Sequence, residues 1–112
     1  MPRFNTALDH HLSALSDPTR RAIVERLAQG AARVSDLAEP FEMALPTILQ
    51  HLKILETAGL ISSTKQGRVR TCTLNAPALR GVEAWSGQQA RLWESRLDRL
   101  DKLALRLAEE QE

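Results

Sequence analysis

The apolar period of this chain changes once, at Gly59, and that change limits the folds open to it. Before Gly59, apolar residues recur as they do along one side of a helix: Leu45, Ile48, Leu49, Leu52, Ile54, Leu55 and Ala58. After it come two β-prone segments, Leu60–Lys65 and Arg68–Leu74, joined at Gln66-Gly67. The second alternates Val69, Thr71 and Thr73 against Arg68, Arg70 and Cys72. Two such segments around a Gly turn predict a β-hairpin. Gly59 stands where a helix ends in the left-handed conformation that glycine adopts without steric cost. A helix running directly into a hairpin is the centre of the expected fold.

The flanks are helical. Leu8, Leu12 and Leu15 share one face of a first helix. Asp17-Pro18 restarts the chain with a capping residue and a proline suited to the first helical position, and Gly30 stops that second helix after Ile23, Val24 and Leu27. Val34–Glu39 is a short helix ended by Pro40, and Pro46 opens the helix that reaches Ala58. Asn75-Ala76-Pro77 caps a last helix running to about residue 108, with a bend expected near Gly81 or Gly87. Along it Trp93, Leu97, Leu100, Ala104 and Leu107 recur at the alternating spacing of a helix–helix seam. Aromatic residues make up only 4% of the 112, so the core is expected to be aliphatic and modest, and such small domains gain stability by association. No repeat or linker divides the chain. The expectation is one domain over residues 1–112, mainly α with a β-hairpin, whose C-terminal helix (about 76–108) dimerises.

Several function classes are disfavoured. No run of about eighteen apolar residues exists to span a membrane. Met1–Asn5 carries no apolar leader, and a lone Cys72 forms no internal disulfide, so a cytoplasmic protein is expected. There is no Gly-rich phosphate loop and no nucleophile elbow, so no enzyme and no cofactor are expected. One Cys and three His leave no metal set, because adjacent His10 and His11 point to different helix faces. Cys72 reads as a small apolar filler, with a thiol activated by Arg70 as the alternative.

What remains is a helix-turn-helix: the helices at 34–39 and 45–58 with a tight turn at Pro40–Ala44. The B-DNA major groove admits one α-helix, and the second helix of such a pair lies in it. Leu45, Ile48, Leu52 and Leu55 are expected to face the core. Thr47, Gln50, His51 and Lys53 lie off that stripe. Gln50 suits an adenine edge, Thr47 or His51 a base or phosphate, and Lys53 a phosphate. The hairpin tip adds Lys65, Gln66 and Arg68. Although the net charge is only +1, residues 45–74 hold Lys53, Lys65, Arg68 and Arg70 against Glu56 alone, while residues 91–112 mix five basic with six acidic side chains. The same residues also suit an ordinary solvated helix.

Asp17-Pro18-Thr19-Arg20-Arg21, Val34-Ser35-Asp36-Leu37-Ala38, Leu45 to Glu56, Ala58-Gly59-Leu60 and Lys65-Gln66-Gly67-Arg68 resemble the arsenical-resistance-regulator (ArsR) family over about residues 8–80. The resemblance implies a winged helix-turn-helix homodimer that represses transcription by binding an inverted repeat in double-stranded DNA. It implies dimerisation through the first and last helices, which brings Leu8 and Leu12 into the interface with the seam residues. Ala44 and Leu49 stand where many members have Ser, which shifts base reading towards Thr47, Gln50 and His51. Metal-sensing members carry Cys pairs in the segment matching Val34–Ala38, or Asp and His pairs on the last helix. This chain has no Cys in the former and no His in the latter. The effector is therefore open. Trp85 and Trp93 either fill the dimer core or border a small-molecule site there. A winged helix that binds protein instead of DNA is a further alternative, although it has no need for cations on both helix and wing.

Overall fold

The computed structural model describes residues 5–111. Residues 1–4, within the stretch where no leader was expected, lie outside them. The helices are α1 (Thr6–Ala14), α2 (Pro18–Leu27), α3 (Val34–Ala38), α4 (Leu45–Thr57) and α5 (Ala76–Glu110); the strands are β1 (Ala32–Arg33), β2 (Ile61–Gln66) and β3 (Val69–Leu74). The chain divides into two compact units between Val82 and Glu83.

In the first unit the expected Asp17 cap forms, and Asn5 caps α1 as well. Asn5 accepts the Leu8 amide at 3.1 Å, and Asp17 accepts the Arg20 amide at 3.0 Å with Pro18 at the head of α2. These satisfy donors that a helix start leaves unpaired. Ala44 caps α4 without a side-chain bond. At the far end of α4, the Leu60 amide donates to the Leu55 carbonyl and the Gly59 amide to the Glu56 carbonyl, both at 3.0 Å. With Gly59 at φ 82°, this is a Schellman closure. Leu55 and Leu60, whose contact accompanies that closure, are fully buried. Helix end and core are thus built by the same residues.

The hairpin turns on Gly67 and Arg68, with Gln66 facing Val69. Gly67 has φ 62° and among the described residues no non-glycine residue has positive φ, as a type II′ turn with Gly first requires. The sheet has a third member that the sequence reading missed. Ala32 and Arg33 pair antiparallel with Cys72 and Thr71, so β3 is central in the order β1-β3-β2. Two residues are too few to show a period of two. At the hairpin's exit Asn75 donates its side-chain amide to the Gly59 carbonyl at 2.7 Å, and its backbone amide to the Leu60 carbonyl at 2.8 Å. Asn75 therefore ties the hairpin base to the end of α4.

The core is aliphatic: Ile23, Leu27, Leu37, Ile48, Leu52, Leu55, Leu60, Ile61 and Cys72 are all at most 3% exposed. Burying each large side chain is worth about 1.5–3 kcal/mol. Leu45 departs from the expected stripe and is 53% exposed. It is the first residue of α4, and a helical stripe is buried only as far as other elements lie against it.

The second unit is helix alone. α5 passes Gly81 and Gly87 without interruption. Every residue from 88 to 111 is exposed, including Trp93 (60%), Leu97 (41%), Leu100 and Leu107. Among the described residues, no helix is long and apolar enough to cross a membrane.

Candidate nucleic-acid interface

The tight turn between α3 and α4 sets the latter with Ile48, Leu52 and Leu55 inward. By helical geometry the opposite side carries Pro46, Gln50, Lys53 and Thr57, all exposed, with Thr47 exposed on the flank. Gln50 and Lys53 also wall a groove of about 360 Å³ against His10 and Ser13 of α1. Lys65, Gln66 and Arg68 are exposed at the hairpin tip. The only acid on α4 is Glu56.

Two residues of the expected set are committed elsewhere. Arg70 donates to the Glu56 carboxylate and to the Ser63 hydroxyl, each at 3.0 Å, and Ser63 donates to Glu56 at 3.0 Å. This network clamps the hairpin to α4, so Arg70 has a structural role, with Nε and Nη2 committed. Its side chain shares the inward face of β3 with Cys72, and alternation brings it to α4.

His51 is also turned inward. Its Nδ1 lies 3.3 Å from the Arg20 guanidinium. Arginine only donates, so a hydrogen bond here has Nδ1 as its acceptor. The Asp17 carboxylate, 3.9 Å from the same nitrogen, is beyond hydrogen-bond reach. Arg20 also donates to the Ala14 carbonyl at 2.7 Å, while Arg21 donates to the Leu15 carbonyl at 2.7 Å. The Asp-Pro-Thr-Arg-Arg segment thus starts α2, finishes α1 and holds α4 through His51. The expectation that His51 lies off the buried stripe is corrected: three residues after Ile48 and four before Leu55, it borders that stripe, whereas Gln50 lies on the opposite side.

Cys72 is 1% exposed, and burial raises its thiol above the usual range. Arg70 pulls the other way but is outweighed. The packing role stands and the activated thiol does not. Among the described residues, no three His, Cys, Asp or Glu are grouped to hold a metal ion.

The structure adds one residue that the sequence reading lacked. Arg33, at the junction of β1 and α3, lines a cleft of about 390 Å³ with Lys65, Arg68 and Arg70. Pairing of β1 with β3 puts Arg33 there, and no linear pattern predicts that pairing.

The family model for bacterial regulatory proteins of the arsR family matches residues 17–63, from the cap of α2 into the hairpin. The chain is 44% identical over 71 residues to the HTH-type transcriptional regulator Rv2034 of Mycobacterium tuberculosis, spanning 63% of this chain and 66% of that protein. It is 36% identical over 78 residues to the transcriptional repressor SdpR of Bacillus subtilis, spanning 70% of this chain and 87% of that one. A solved ArsR-family transcriptional regulator superposes with a TM-score of 0.78 at 48% identity, covering 85% of this chain and 98% of that structure. An ArsR-like regulator from Rhodococcus sp. RHA1 superposes at 0.74 with 28% identity, covering 88% and 92%. The shared fold is the winged helix-turn-helix, in which α3 and α4 are the helix pair and the β2–β3 hairpin is the wing.

Proposed function

This chain belongs to the ArsR family of bacterial transcriptional regulators, and from that premise we propose that it is a homodimeric repressor, working in the cytoplasm, that blocks a promoter by seating α4 in the major groove of an inverted-repeat operator. One observation carries the proposal. The outward side of α4 presents Gln50, Lys53 and Thr47 in the same unit as an exposed wing tip of Lys65, Gln66 and Arg68, while the one acid of α4 is bound to Arg70.

The roles divide by chemistry. Gln50 has an amide that donates to and accepts from an adenine edge at once. Thr47 offers a hydroxyl to a base or phosphate near the start of α4. Lys53, Lys65 and Arg68 are mobile cations suited to backbone phosphates, which position the protein without reading sequence. Arg70 and His51 act indirectly, by holding the wing and α4 in place. In a dimer the two α4 helices enter successive major grooves about 34 Å apart.

The dimer is proposed from the unpartnered α5. Trp93, Leu97, Leu100, Ala104 and Leu107 are an exposed apolar seam of α5, and Leu8 and exposed Leu12 of α1 are proposed as further contacts in the dimer. The exposed Leu92, Leu103 and Leu105 widen the apolar surface beyond a two-residue stripe. Trp85 and Trp93 serve as large contacts in that interface.

Selection of bound duplexes from random DNA tests the proposal. The expected product is an inverted repeat whose half-sites lie about one helical turn apart. A folded, dimeric protein that enriches no sequence would overturn it in favour of a protein-binding winged helix.

A further inference from the structure

We propose that the cleft between the start of α3 and the wing seats a backbone phosphate of the bound DNA, and that Arg33 is one of its grips. This rests on the DNA-binding proposal above and extends the contact surface beyond α4 and the wing tip.

Four cations line the cleft, Arg33 from one wall and Lys65, Arg68 and Arg70 from the wing, with the Ser35 hydroxyl beside them and no acid in the lining. Arg70 has its Nε and Nη2 engaged by Ser63 and Glu56 and adds charge from a fixed position. Arg33 is different. Its one ionic contact is to Asp36, three residues on, at 3.3 Å through Nε, with the two side chains 61% and 40% exposed. An ion pair so exposed is weak and easily exchanged. A phosphodiester offers two unesterified oxygens, which match the guanidinium fork where Asp36 meets only one nitrogen. The root of Arg33 is held still by its pairing with Thr71 in β3, the strand that also carries Arg70. The side chain therefore starts from a fixed place relative to the wing. Val34, Leu49 and Val69 complete the lining and offer apolar contact to a sugar. Asp36 parks the guanidinium in the free protein, and phosphate takes it over in the complex.

Three variants measured by fluorescence anisotropy on a selected operator and on a scrambled duplex, at several salt concentrations, test this. Arg33→Ala is expected to weaken both duplexes by the same factor and to lower the slope of log affinity against log salt by about 1.8, the loss of one phosphate contact from each protomer of the dimer. Arg33→Lys is expected to keep most of that slope, because the charge remains. Asp36→Asn is expected to tighten both duplexes, because Arg33 is released and an acid removed. If Arg33→Ala binds as the parent does, with the parental slope, the cleft is not a phosphate seat while the DNA-binding proposal stands. A change in which bases are preferred would equally overturn it. Should the parent itself bind no duplex at low salt, the DNA-binding proposal falls and the seat with it.

Discussion

Replacing Arg20 by Ala removes three contacts at once. Its Nε donates to the Ala14 carbonyl at 2.7 Å, its Nη2 to the Ser13 carbonyl at 3.4 Å, and its Nη1 to His51 Nδ1 at 3.3 Å. Ser13 and Ala14 are among the last carbonyls of α1, which have no partner within the helix. A hydrogen bond from a charged donor contributes about 1.5–3 kcal/mol. Only the first contact is short, and the site is partly open to water, so the low part of that range applies. We expect Arg20→Ala to cost about 2 kcal/mol, or roughly 10 °C in melting temperature for a domain of this size. Arg21→Ala is the internal control. It removes the same chemistry, a guanidinium on the Leu15 carbonyl at 2.7 Å, from an exposed position, and should cost about 0.5 kcal/mol. Arg20→Lys should recover only part of the loss, since a single ammonium lacks the fork that spans three acceptors. Urea unfolding at one fixed protomer concentration reads all three, the concentration being held because dimerisation adds to stability. Equal losses for Arg20→Ala and Arg21→Ala would refute the claim that Arg20 ties α1, α2 and α4 together.

Three other perturbations give distinct readouts. Asp17 is held below the usual carboxylate range chiefly by the Arg20 amide that it caps. A depressed folded value means stability present above the unfolded value of about 3.9 and lost as pH falls through the folded one, so Asp17→Asn should flatten the decline of the urea midpoint below about pH 4, and an unchanged profile would count against the cap. Ala44→Ser should add about 1 kcal/mol in thermal unfolding by giving α4 the side-chain cap it lacks, with the Thr47 amide as donor because Pro46 has none; no gain would mean that the turn before α4 cannot present the hydroxyl. Leu97→Arg should yield a monomer in light scattering while leaving the first unit folded, and a dimeric mass for that variant would rule out the α5 seam.

Much of this fold is legible in the chain because its signals are local. Asp17-Pro18, Pro46 and Gly59 act on backbone within a turn of themselves, and the switch of apolar period at Gly59 needs no distant partner. The hairpin follows from Gln66-Gly67-Arg68 for the same reason. The ArsR resemblance rested on these segments and their order, so family and fold were readable together. The candidate interface was legible only in part. Exposed Thr47, Gln50, Lys53, Lys65, Gln66 and Arg68 follow from helix and hairpin periodicity.

Tertiary structure decided the rest, and the reason is the same in each case. Whether a polar residue is free depends on what stands opposite it, often a residue far away in sequence. Helical spacing sets His51 beside the buried stripe of α4, but only the packing of α2 supplies its partner Arg20, 31 residues distant. Arg68 and Arg70 lie two residues apart on the wing, and Glu56 of α4 claims only the second. Leu45 shares the period of Ile48 and Leu52 but lies beyond what covers them. Arg33 joins the wing because a two-residue strand pairs across almost forty positions to Thr71. Local sequence determined the helices and the hairpin and which way each one faces; packing between elements added the short strand β1 and decided which of the outward groups remain available to a partner.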